Sequence, residues 1–336
     1  MKTKTFKWAI LGPGKIAHKF AKGLAEVPGA ELYAVASRSL AKAEEFAKEF
    51  NVPKFYGSYE DLVKDKEVDI IYIATPHVFH YEHTLLCLKH KKAVLCEKPF
   101  AMNKEQVNEM ILTAKKENIF LMEALWTYFL PHYQYVLELV KSEKFGKITG
   151  LEADFGFEAP FLPENRLFNK DLGGGSLLDI GIYPVFAALT LLGKPDTISA
   201  KAEFSETSVD ESCSIVFNYQ NGVRAHLLST INKNTPTTAT INFEKARLTI
   251  NRRFHEPTSV TILHNNQEET ISFEVNTNGY NFEAEHVQQM LAEGRTESTL
   301  MSFEKSLELI GLLDDIREEI GLIYRCFKIS TVNKFL

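Results

Sequence analysis

The sequence holds only four cysteines, Cys87, Cys96, Cys213 and Cys326, and no CxxC pair. So sparse a set excludes a disulfide framework and a structural zinc site, and it points to a reducing, cytoplasmic setting. Long apolar runs are lacking too. None approaches the ~18 residues that a membrane helix needs, and the best candidate, FAALTLLG, reads as a core helix. A basic excess is also missing: 38 Lys and Arg stand against 44 Asp and Glu, a net charge of −6. That balance offers no field for nucleic acid. The expected partners therefore include neither a membrane nor a nucleic acid. The opening MKTKTFKWAILGPGK is basic and then apolar like a signal peptide, but WAIL is too short for one and runs into a glycine turn.

What the chain does have is 336 residues, 45% of them hydrophobic and 24% charged, enough for about two domains with separate cores. In the first third the apolar runs WAIL, ELYAVAS, DIIYIAT and AVLCE alternate with helical patterns. KIAHKFAKGLAEV, for instance, sets Ile16, Phe20, Ala21, Leu24 and Val27 at helical spacing. Apolar strands between helices predict a parallel sheet covered on both faces. From about residue 148 the pattern changes to alternating strands such as GLEADFGF and VRAHLLSTI, with NG and NN turns between them. Two helices, near 282–293 and 303–320, close this α+β half. The expected division is 1–124, 125–325 and a tail of unassigned role, 326–336.

GPGKIA (12–17) follows the first strand and opens the first helix. Gly12 and Gly14 permit a tight turn and close backbone approach, and the helix start at Lys15 and Ile16 offers amides to a pyrophosphate. The second strand ends AVASRS, without the carboxylate that receives an NAD ribose. Ser37, Arg38 and, one turn on, Lys42 suit a 2′-phosphate, so NADP is expected and NAD less so. In TPHVFHYEH (75–83), His77 and His80 lack the third ligand a metal requires, and no metal is expected. Thr75, Pro76, His77 and His80 read either as a strand-end loop beside the cofactor or as an ordinary helix start.

Two further stretches carry chemistry. VLCEKPFAM ends an apolar strand on Glu97 and Lys98, with a proline that stops the ladder. GGGSLLDIGIYPV places Asp179 and Tyr183 four apart, on one face of a helix, as a candidate acid/base pair. Pro184 either kinks that helix or marks a later start.

In order, GPGKIA, AVASRS, TPHVFH, CEKP, LMEALWTYFLP and GGGSLLDIGIY resemble the Gfo/Idh/MocA oxidoreductases, in the branch of the dimeric dihydrodiol dehydrogenases. The resemblance runs to about residue 321. It implies an α/β Rossmann domain followed by an α+β domain with an open-faced, mostly antiparallel sheet. The site lies between them, and the exposed sheet face forms a homodimer. It also implies that Lys98 points at the substrate, Glu97 sits near the nicotinamide ribose, and Tyr183 gives or takes the proton. On this reading Lys98 lowers the phenol's pKa and Asp179 orients these groups. Tyr128 stands where many relatives have arginine. Trp126 and Phe155 either line the substrate pocket or pack the core, and Arg166 is a candidate polar anchor.

The activity expected is NADP-dependent hydride transfer to or from a sugar, polyol, dihydrodiol or small carbonyl compound. Two alternatives are a non-catalytic NADP-sensing regulator and an NAD-dependent glycosidase. Lys98, Asp179 and Tyr183 together argue against the sensor, and the Ser37–Arg38 pair argues against the glycosidase.

Overall fold

A computed structural model describes residues 5–324 and contains two sheets. The first is built from β1 (Phe6–Leu11), β2 (Ala30–Ala36), β3 (Lys54–Tyr56), β4 (Ile70–Ile73), β5 (Ala93–Glu97) and β6 (Leu121–Ala124). All pair in parallel, in the order β3-β2-β1-β4-β5-β6. Every residue of β4 and β5 is buried, because α1 (Lys15–Leu24), α2 (Leu40–Phe50), α3 (Tyr59–Lys64), α4 (His80–Lys89) and α5 (Lys104–Glu117) pack around the sheet. Strand order reverses between β1 and β4, so the connections after those two strands diverge and leave a crevice at the strand ends.

After α6 (Pro131–Lys141) comes the second sheet: β7 (Ile148–Gly156), β8 (Thr197–Phe204), β9 (Asp210–Asn218), β10 (Arg224–Thr230), β11 (Ala239–Phe243), β12 (Ala246–Ile250), β13 (Val260–His264) and β14 (Gln267–Ile271). Its order is β14-β13-β12-β11-β7-β10-β9-β8, antiparallel except for the β7–β10 pair. Alternation sets the two faces. Leu151, Ala225 and Leu227 turn inward beneath α7 (Ile182–Leu192), while Glu152, Arg224 and His226 face out. The stretch Lys170–Leu192 is long and apolar enough to cross a membrane, but 83% of its apolar window is buried inside the fold. FAALTLLG is thus a core helix. α8 (Tyr280–Ala292) and α9 (Phe303–Glu319) return to pack on α1 and α5, tying the two sheets together. The expected tail at 326–336 lies outside the described residues.

Candidate active site

The crevice begins at the end of β1. Gly12 has φ +95°, and a Cβ there would lie 2.7 Å from Thr75 Cγ2, so only glycine fits the turn. α1 starts after Gly14 with no side-chain cap and no acid in its first turn. Its leading amides, carried by Lys15 and Ile16, are left for an anion. At the end of β2, buried Ser37 accepts the Ser39 N–H at 3.2 Å, and exposed Arg38 lies 5.8 Å from the Phe79 ring centroid. Lys42 is exposed on the first turn of α2, which also lacks an acid. This arrangement would suit a pyrophosphate, with cations available at the ribose end. The residues fit a dinucleotide carrying a 2′-phosphate.

The loop after β4 faces inward. His77 Nε2 lies 2.8 Å from the Gly173 carbonyl oxygen. His80 bridges two chain segments, with Nδ1 and Nε2 each 2.8 Å from a carbonyl oxygen, those of Pro99 and Thr75. Burial pulls the two rings down to about 3 and about 4. The imidazoles thus tie Thr75 and Pro76 to the neighbouring turns, and no group of side chains among the described residues is placed to hold a metal.

Lys98 leaves β5 through a cis Lys98–Pro99 peptide. Its ammonium donates to the Asp179 carbonyl oxygen at 2.6 Å, stands 4.0 Å from Asp179 Oδ1, and sits 5.0 Å over the Tyr183 ring. Beneath it, buried Glu97 accepts the Lys98 N–H at 3.1 Å and the Tyr72 hydroxyl. The turn is supported by Glu123, which accepts the Phe100 N–H at 3.0 Å and is pushed by burial up to about 7. Facing Lys98, Asp179 accepts Arg166 Nη2 at 2.8 Å. Burial raises its pKa, but the Arg166 and Lys98 charges outweigh burial and hold the carboxyl below its ordinary value. Burial likewise lowers Lys98, against the pull of Asp179 and Glu97.

Two features differ from the sequence reading. Asp179 lies in a π-helical turn, Leu177–Gly181, and α7 proper starts only at Ile182. Pro184 therefore falls in the first turn of α7, the later start that the sequence reading allowed. The second difference is electrostatic. Burial, and then the Glu97 charge, raise Tyr183 well above the ordinary phenol range instead of lowering it. The Lys98 ammonium lies over the ring face and is spent on the Asp179 backbone, so it does not offset burial at the phenolic oxygen.

Trp126 and Phe155 join this group. The Trp126 indole N–H donates to the Tyr183 hydroxyl at 3.1 Å, and its ring stacks on Tyr280 at 4.2 Å. Phe155 stacks on His255 at 4.1 Å, and His255 lies 4.9 Å from Tyr183. His255 and Tyr280 were not foreseen, because each follows an irregular loop and no motif marks either.

Residues 6–125 match the oxidoreductase family with an NAD-binding Rossmann fold, and residues 133–249 match the GFO/IDH/MocA C-terminal domain. The trans-1,2-dihydrobenzene-1,2-diol dehydrogenase of Xenopus tropicalis is 39% identical over 330 residues, 95% of this chain and 99% of that one. The chain belongs to the Gfo/Idh/MocA oxidoreductase family. The enzyme of the same name from Homo sapiens is 33% identical over 329 residues, 95% and 98% of the two chains. Among solved members of this fold, a 3-ketoreductase from Actinomadura kijaniata, in complex with NADP and TDP-benzene, superposes with a TM-score of 0.87 at 25% identity, covering 94% of this chain and 98% of its own. An aldose–aldose oxidoreductase from Caulobacter crescentus, at 22% identity and TM-score 0.87, covers 95% and 98% and shares the fold. As a Gfo/Idh/MocA member the chain is an NAD(P)-dependent oxidoreductase, with the Rossmann and open-faced sheet domains expected from sequence.

Proposed function

We propose that this protein is an NADP-dependent dehydrogenase or reductase of vicinal diols or sugars, with Lys98, Asp179 and Tyr183 at the reacting oxygen. One observation carries the reading. Lys98, directly after β5 of the first sheet, meets Asp179 of the π-helical turn and Tyr183 of α7, by hydrogen bond and ring contact, at the end of the parallel sheet. The curated relatives named for a dihydrodiol, and the ketoreductase solved with NADP, support the substrate class and the cofactor.

In this reading residues 1–124 hold the dinucleotide and 125–325 the substrate. Gly12, Gly14, Lys15 and Ile16 receive the pyrophosphate, and Ser37, Arg38 and Lys42 the 2′-phosphate. Thr75, Pro76, His77 and His80 wall the crevice, and Glu97 meets the nicotinamide ribose. The nicotinamide supplies the hydride, or accepts it in oxidation. Tyr183, kept neutral by burial, is suited to giving its phenolic proton to a carbonyl oxygen as that carbon is reduced; oxidation returns the proton to it. Lys98 stabilises the negative charge that develops on the substrate oxygen. Asp179, anchored by Arg166, holds Lys98 in place. Trp126 fixes the direction of the Tyr183 hydroxyl and, with Phe155, forms an apolar wall for the substrate.

The open face of the second sheet is the proposed homodimer surface. Thr240, Thr249, Thr261 and Thr270 stand in register across four strands beside exposed Glu152 and His226, a flat polar face suited to a second copy. Cys87, Cys96 and Cys213 are free and buried, which supports a cytoplasmic location.

The test is NADPH oxidation over a panel of ketoses, osones and dicarbonyls, with NADP reduction on trans-diols and aldoses, for wild type and Lys98→Met. Turnover on one class that falls by at least about 100-fold in the variant supports the assignment. A wild-type protein that binds NADPH yet turns over none of them would instead favour the sensing role.

A further inference from the structure

Each of the three glycines before Asp179 is set against a polar atom of the protein. Gly173 accepts from His77, Gly174 accepts the Tyr324 hydroxyl at 2.6 Å, and a Cβ on Gly175 would lie 2.1 Å from Asp210 Oδ1. Asp210, the first residue of β9, is fully buried. Its Oδ2 accepts the Leu177 N–H at 2.6 Å and the Ser176 hydroxyl at 2.8 Å, while Ser176 Oγ stands 2.9 Å from Ser229 Oγ on β10. Taking a carboxyl out of water is costly, and hydrogen bonds from a helix start are what repay it. Burial lifts this one to about 6, against the Leu177 and Ser176 bonds that favour its ionised form.

Leu177 is the first residue of the π-helical turn that carries Asp179. One short backbone stretch is therefore gripped from both sides: the Leu177 N–H by Asp210, the Asp179 carbonyl by Lys98. We propose that Asp210 is a positioning residue which, with Ser176, clamps the start of the catalytic helix to the second sheet and so sets Asp179 and Tyr183 against Lys98. It touches neither substrate nor cofactor, and the proposal rests on the roles given above to those three residues. Because the clamp lies in the second sheet, its loss disturbs the proton-transfer geometry and spares the dinucleotide crevice.

The experiment compares Asp210→Ala, Asp210→Asn and Ser176→Ala in the full chain, reading kcat, the NADPH dissociation constant, and amide hydrogen exchange over residues 177–182. In Asp210→Ala, kcat falls about 100-fold while NADPH affinity stays within about twofold. Asparagine keeps one acceptor for the Leu177 N–H and restores kcat to within about tenfold of wild type. Exchange at 177–182 speeds up, and exchange in α9 does not. Should Asp210→Ala fail to fold, Ser176→Ala removes one leg of the clamp and lowers kcat about tenfold. The proposal is overturned if a folded alanine variant keeps wild-type kcat, if NADPH affinity drops in step with kcat, if Asn is no better than Ala, or if Ser176→Ala keeps full kcat. A wild type inactive on every substrate defeats the functional reading instead; the clamp is then judged on exchange alone, and unchanged exchange at Leu177 in either variant that folds defeats it.

Discussion

The molecule has two glycine-rich turns, each ahead of a helix, and they do opposite work. At Gly12–Gly14 the helix start is uncapped, a Cβ on Gly14 would meet nothing closer than the Ala74 carbonyl at 3.9 Å, and the flanking Lys15 and Arg38 are exposed. At Gly173–Gly175 every added Cβ would collide, with His77 Nε2 at 2.1 Å, the Arg166 and Leu167 carbonyls at 2.6 Å and Asp210 Oδ1 at 2.1 Å. In the proposed function the helix start after the first turn keeps the Lys15 and Ile16 amides for a ligand, while the Gly12 and Gly14 amides bond within the protein. The second spends its backbone on the protein, and in doing so joins the cofactor loop, the second sheet and the residues near Tyr324 at one point. On the proposed function, similar glycine content thus serves ligand approach in one place and rigid placement of the catalytic groups in the other.

Substitutions can break this contrast. Gly175→Ala, at φ +124° and with a direct clash, is expected to cost about 3 kcal/mol or more of stability in chemical denaturation. A loss below about 1 kcal/mol would mean that the second turn is not tightly packed. Arg38→Ala should weaken NADPH about 30-fold and NADH hardly at all, by titration of cofactor fluorescence. Equal losses for the two cofactors would remove the 2′-phosphate assignment. Gly14→Ala should leave stability within about 0.5 kcal/mol yet weaken NADPH about tenfold, since the methyl meets the dinucleotide and not the protein. Unchanged affinity would show that this turn, too, serves structure alone. The smallest effect is expected at Lys42→Ala, about threefold on NADPH and shrinking with added salt.

Much of the fold was legible in the sequence. β4 is apolar throughout, and β5 is apolar up to Glu97, because both faces are covered, and a helix read near 104–117 agrees with α5. Short elements escaped. β3 has three residues, two of them exposed, and α3 has six, too few for a periodic signal. The π-helical turn was also invisible, since it depends on the glycine turn and the Asp210 clamp and not on the composition of LLDIG.

The site was legible in parts. Lys98, Asp179 and Tyr183 stand in recognisable motifs, and the fold brings them together. Arg166 was foreseen as an anchor but not as the partner of Asp179, because twelve residues, including the glycine turn, separate them. Asp210, His255 and Tyr280 lie at a strand edge and after loops, where only tertiary packing assigns them a neighbour. Tyr183 shows the limit most clearly: its charge environment is set by burial depth and by Glu97, and a sequence reports neither.

The most direct test of the account is single-turnover kinetics of Tyr183→Phe, beside wild type, with saturating NADPH and the best substrate of the panel. The variant keeps the ring and loses only the proton and the Trp126 contact. The account predicts hydride transfer slowed by about 100-fold or more, with NADPH affinity within about twofold of wild type. Hydride transfer at the wild-type rate would contradict it and take the acid/base role away from Tyr183.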